Sequence, residues 1–205
     1  MADDDARTRY VVGLGNPGRA YRQTRHNVGF RVLAALRRRW DFGRAKSRFH
    51  SRLWSGRIDG RGVTLLAPQT YMNESGRAVA DAVAFCKAAP SALLVVLDDM
   101  ALPTGRLRAR ARGSAGGHKG LDDILRALGT REVARLRIGI GRPADDRDAT
   151  GHVLTTFAEE EEPVMAAAVE RAAAAVEDWA RRGITYVMDR YNASDEDPDK
   201  EREKA

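Results

Sequence analysis

An α/β fold, built as a single three-layer α/β/α domain around a mixed, mostly parallel twisted sheet, follows from three features of the sequence. Residues 10–15 form a short apolar run closed by glycine, residues 93–98 form a continuous apolar run closed by an acid, and stretches of helical period stand between such runs. Helices alternating with strands cover both faces of a sheet. An apolar run without polar alternation fits a strand that is buried on both sides.

The elements follow in order. After the first strand comes a polar loop over residues 16–26. Residues 28–40 place Val28, Val32, Ala35, Leu36 and Trp40 at helical spacing, with Asn27 as the expected N-cap. Residues 50–58 and 63–67 flank Asp59-Gly60, a hairpin signal that makes the sheet mixed. Residues 74–87 carry Ala78, Val79, Ala82, Val83 and Cys86 on one helical face, with Asn73 at the start. A short helix over 121–128, a strand over 136–141, an Ala-rich helix over 163–182 and a last helix over 184–192 complete the pattern. Cys86 reads as a small buried apolar residue, and Phe30, Trp40 and Trp179 as core.

At 205 residues and 43% apolar composition the chain suits one core, and the domain is expected over residues 8–192. The ends, 1–7 and 193–205, are acidic and expected to be disordered. No run approaches the roughly 18 apolar residues of a membrane span. The start, Met-Ala-Asp-Asp-Asp, is unlike a secretory signal. A single cysteine excludes an intrachain disulfide and a Cys-based zinc site, which points to the cytoplasm. Net charge is +6, yet Asp3, Asp4 and Asp5 contribute −3 and the tail another −3, so the body carries +12. Thirty of the 35 basic residues are Arg. That bias suits a skewed genome or a polyanionic partner, for which guanidinium is the better phosphate ligand.

Gly13-Leu14-Gly15-Asn16-Pro17-Gly18 matches the dinucleotide pattern G-x-G-x-x-G, but its context fails. No helix opens at the last glycines, and Arg37, Arg38 and Arg39 stand where a ribose-binding acid belongs. A different chemistry fits better. His26 lies in the polar loop, Asp98 ends an apolar strand, and Asn16 and Asn73 follow two others. Carboxyl ends of strands line the functional crevice of an open α/β sheet. One histidine, one carboxylate and two carboxamides suit water activated by a general base, with Asp98 fixing the His26 tautomer. Arg106, Arg108, Arg110 and Arg112 alternate with apolar residues, which puts four guanidiniums on one strand face, either as a solvated edge or beside phosphates. Residues 113–120 form a glycine-rich loop whose backbone amides and Lys119 suit an anionic or polar ligand. Tyr21 and Tyr71 fall beside these residues in non-periodic segments.

Val12-Gly13-Leu14-Gly15-Asn16-Pro17-Gly18, Tyr21 and Thr24-Arg25-His26-Asn27-Val28-Gly29-Phe30 resemble the opening of bacterial peptidyl-tRNA hydrolases. The resemblance continues through residues 68–76, Asp98-Asp99, residues 102–105, residues 113–120 and residues 135–143. It implies an esterase that cleaves N-blocked peptidyl-tRNA into free peptide and tRNA, with His26 as general base on water, Asp98 as its support and Asn16 telling blocked from free aminoacyl-tRNA. Tyr21, Tyr71, Met72, Asn73, His118 and Lys119 are implied as substrate contacts. Arg108, Arg110 and Arg137 are implied as holders of the tRNA phosphate end. No cofactor, no metal and no membrane are expected, and the protein is expected to be a cytoplasmic monomer. Two positions depart from the family pattern: Lys119 stands where asparagine is usual, and Ala101 where many members carry an acid. The alternatives are a non-catalytic, splicing-factor-like RNA binder of the same fold and, more distantly, an NADP enzyme.

Overall fold

The computed structural model describes residues 8–143 and 148–192. A seven-stranded sheet runs in the order β2-β3-β4-β1-β5-β7-β6, from β1 (Arg9–Gly13), β2 (Lys46–Arg48), β3 (Ser51–Ile58), β4 (Arg61–Pro68), β5 (Leu93–Asp99), β6 (Leu107–Arg110) and β7 (Ala134–Gly139). The four central strands, β4, β1, β5 and β7, are parallel, while β2, β3 and β6 add antiparallel pairs at the margins. Helices α1 (Val28–Arg39), α5 (Glu162–Arg182) and α6 (Ile184–Asn192) cover one face; α2 (Ser75–Cys86) and α3 (Lys119–Leu128) cover the other. This is the three-layer mixed α/β arrangement that the alternation of runs predicts. The acidic ends lie outside the described residues.

Period-2 alternation sends neighbours into opposite layers. Val11 packs with α1 and α5, and Val12 with α2 and α3. Between them β5 is buried from Leu93 through Asp98, as its unbroken apolar run requires. The β3–β4 hairpin closes at Asp59 and Gly60, both at positive φ (49° and 80°), the primed two-residue turn that Asp-Gly favours. The glycines of the dinucleotide-like pattern have a packing reason. A Cβ on Gly13 would lie 2.6 Å from the Gly29 carbonyl oxygen, and one on Gly15 would lie 2.8 Å from the Phe30 ring. They let α1 press directly on β1, which leaves no opening for a pyrophosphate.

Several expectations need correction. Asn27 occupies the N-cap of α1 as expected but makes no side-chain cap there, and Glu74, not Asn73, occupies the N-cap of α2, also without a side-chain cap. Cys86 is exposed, because the last turn of α2 runs past its buried stripe of Ala78, Val79 and Ala82 before Lys87 turns left-handed. Of the four alternating arginines, only Arg108 and Arg110 are within β6. Arg106 reaches the Asn192 carbonyl (3.3 Å) and Arg112 reaches Glu132 (3.3 Å) beyond its ends. Strand β2 and helix α4 (Ala149–Leu154) lack any apolar stripe and were not expected.

Candidate active site

The carboxyl ends of β1 and β5 open into a cleft of about 620 Å³, lined among others by Asn16, His26, Tyr71, Met72, Asn73, Asp98, His118, Lys119 and Arg137. Its floor is Asp98, 2% exposed. His26 Nδ1 lies 2.8 Å from Asp98 Oδ1 and 3.0 Å from Oδ2, and His118 Nε2 lies 3.0 Å from the same Oδ1. The backbone N–H of Leu121 donates to His118 Nδ1 (3.2 Å), so His118 carries its proton on Nε2 and donates to Asp98. A carboxylate accepts only, so His26 donates from Nδ1 and its Nε2 keeps a lone pair for the cleft. Burial taken alone raises the pKa of Asp98 and is the largest single influence. The hydrogen bonds that His118 and His26 donate, together with the positive charge a ring carries once protonated, outweigh it and hold the carboxyl well below its ordinary range.

Long-range partners set the turn that carries His26. Arg25 donates to Glu161 Oε1 (2.9 Å) and the Ile140 carbonyl (3.1 Å), with its guanidinium over the Phe157 ring at 4.6 Å. On the other side, Asn27 exchanges two hydrogen bonds with the Asn16 backbone, at 2.8 and 2.9 Å. The Asn27 side chain is thus spent on the site instead of on the helix end. Asn16 is fixed in turn, because its Oδ1 accepts the Met72 N–H (2.9 Å). That bond orients the amide and leaves Nδ2 as a donor with no protein partner among the described residues.

The glycine-rich loop is fastened from below. Arg137 donates to Asp99 Oδ2 (2.8 Å), the Ala115 carbonyl (2.9 Å) and the Ser114 carbonyl (3.2 Å), and Arg135 donates to Ser114 (3.2 Å). Gly116 and Gly117, at φ 62° and 82°, then turn the chain so that His118 reaches Asp98 and caps α3. Arg135 is 1% exposed, with Nε and one terminal nitrogen buried without a hydrogen-bond partner among the described residues. Burial, then the charge of Arg137, lower its pKa to about 10.

His26, Asp98 and His118 offer ligand atoms within 4.8 Å of one another. Their facing nitrogens are engaged as N–H donors to Asp98, so the hydrogen-bonded arrangement accounts for the cluster. Tyr21, Arg108 and Arg110 do not line the cleft. Tyr21 closes a turn against Thr24 (2.8 Å), and the two arginines project from β6, paired across the ladder with Arg137 and Arg135. Sequence reasoning missed the apolar wall from α4, where Val153 and Leu154 face the cleft, and the buried Arg135. The inward alternation of Arg135-Leu136-Arg137 was the available signal for the latter.

A family profile described as Peptidyl-tRNA hydrolase matches residues 10–200. The chain belongs to the peptidyl-tRNA hydrolase family. It is 47% identical over 184 residues to the peptidyl-tRNA hydrolase of Rhodopirellula baltica, covering 90% of this chain and 97% of that one. The peptidyl-tRNA hydrolase of Chloroflexus aggregans is 48% identical over 183 residues, with 89% and 97% covered. A solved peptidyl-tRNA hydrolase from Acinetobacter baumannii superposes with a TM-score of 0.85 at 37% identity, covering 91% and 95%. In this member of the peptidyl-tRNA hydrolase family, Lys119 stands exposed at the first position of α3, on the cleft rim.

Proposed function

We propose that this chain is an esterase that hydrolyses N-blocked peptidyl-tRNA, releasing free peptide and reusable tRNA. The observation that carries the reading is His26, held through Nδ1 on a buried carboxylate with Nε2 turned to a cleft that contains no serine or cysteine nucleophile. His26 Nε2 takes a proton from water as the oxygen attacks the ester carbonyl. Asp98 stabilises the imidazolium that forms. The Asn16 amide donor, with Asn73 beside it, holds the peptide carbonyl or the developing oxyanion. Collapse returns the proton to the departing ribose oxygen, so that water has been divided between a peptide carboxyl and a ribose hydroxyl.

Tyr71, 59% exposed, and the buried Met72 form the wall for the peptide, with His118 and Lys119 at the loop end and Tyr21 further out. Arg108, Arg110 and Arg137, adjacent across the β6–β7 ladder, hold the phosphates of the acceptor end. The domain spans residues 8–192, and the enzyme works as a cytoplasmic monomer without metal or organic cofactor. No helix among the described residues is long and apolar enough to cross a membrane. The relatives named above are hydrolases, which leaves the non-catalytic alternative without support. Incubation with N-acetyl-aminoacyl-tRNA and with its unblocked counterpart tests the reading. Release of the amino acid from the blocked substrate alone is expected, and release from neither overturns it.

A further inference from the structure

Residues 37–61 hold nine Lys and Arg against two acids, Asp41 and Asp59. That surplus of seven exceeds the +6 of the entire chain, so the other 180 residues net −1. The segment folds as the end of α1, the edge strand β2 and its neighbour β3, the sheet margin opposite β6. Six strand spacings of about 4.8 Å separate the two margins by roughly 29 Å.

Four of the nine cations are engaged within the protein. Arg38 and Arg39 face Glu170 and Glu177 on α5, Arg57 donates to the Gly60 carbonyl (2.6 and 3.0 Å), and Arg61 donates to the Ala180 carbonyl. The other five (Arg37, Arg44, Lys46, Arg48 and Arg52) are exposed and have no carboxylate partner among the described residues. Three of them are seated on rings. Arg48 lies over Phe85 at 4.4 Å and Phe49 at 4.8 Å, while Arg52 and Arg37 bracket Trp54 at 5.2 and 5.8 Å. Stacking restrains the guanidinium plane and leaves its N–H edge for phosphate oxygens. Phe85, 61% exposed, adds a ring on which a base can stack. Charged edge strands also discourage edge-to-edge pairing. That purpose does not call for Arg37 on α1, or for seats built from aromatic rings.

We infer that this margin is a second RNA-binding surface, which takes the sugar–phosphate backbone of an RNA segment distinct from the acceptor end at Arg108 and Arg110. The probe is a 20-base-pair RNA duplex, titrated at several salt concentrations against the full chain carrying Arg108→Ser and Arg110→Ser. Adding Arg44→Ser, Lys46→Ser and Arg52→Ser to that background should lower the log–log salt slope by about two to three, at about 0.9 per lost phosphate contact. Arg44→Lys with Arg52→Lys keeps the charge and should keep the slope. Placed alone in the parent, the triple Ser substitution should leave turnover of N-acetyl-aminoacyl ester on a short CCA oligonucleotide unchanged. That readout also separates failure of the hydrolase reading, in which the parent itself would not turn over. An unchanged slope, equal loss of minimal-ester turnover, or binding of phosphatidylglycerol vesicles in place of the duplex overturns the inference.

Discussion

His26 and His118 share one carboxylate, and the Leu121 N–H decides how they share it. Because His118 must present Nε2–H to Asp98, both imidazoles are donors there, which frees Nε2 of His26 as a base. Replacing Asp98 by Asn puts an N–H₂ where one oxygen stood and removes the charge that steadies the imidazolium. Asp98→Asn should therefore lower kcat on N-acetyl-aminoacyl-tRNA by about 10²–10⁴. A loss of only a few-fold would show that tautomer control is not at work. Stability has its own signature. The folded carboxyl is depressed, so its contribution is complete above the unfolded value near 3.9 and is lost as pH falls through the lower folded value. The stability gap between parent and Asp98→Asn should thus narrow as pH falls below about 4. Urea titrations across that range check it, and a gap that widens in acid contradicts the assigned direction.

The approach of α1 to β1 places His26 over the strand ends, and it depends on the absence of side chains. A Cβ at Gly29 would lie 2.4 Å from Leu14 N and 2.6 Å from the Val96 carbonyl oxygen. Gly29→Ala should cost about 1–3 kcal/mol in chemical denaturation, the usual range for overpacking; an unchanged midpoint would deny that contact. Elements with a strong apolar pattern were legible in the sequence. The run that became β5, the Asp59-Gly60 hairpin and helix α6 are where the pattern put them. Strand β2 (Lys46–Arg48) is exposed throughout and α4 buries no residue, so neither leaves a periodic signal. The site divides the same way. His26 and Asp98 could be paired from strand-end chemistry alone. The use of Asn27 to lock Asn16, and of Arg135 to fasten Ser114, depends on partners 11 and 21 residues away that no local pattern records.

Across the whole molecule the cleft opens at the carboxyl end of the sheet, with Arg108 and Arg110 on the margin nearest β7. Catalysis and tRNA grip are therefore separable. Arg108→Ala with Arg110→Ala should weaken tRNA binding and reduce its log–log salt slope by roughly one per lost phosphate contact. The same variant should treat a minimal ester lacking the tRNA stem like the parent, and equal loss on both substrates would point to damage of the fold. The assignment of His26 is tested most directly by single-turnover hydrolysis of N-acetyl-aminoacyl-tRNA with parent and His26→Ala proteins, both verified as folded. His26→Ala should bind tRNA as the parent does and lose about 10²–10⁴ in rate, the range for a positioned general base. Turnover within a few-fold of the parent would contradict it, since the proton of the attacking water would then be leaving by a route other than Nε2.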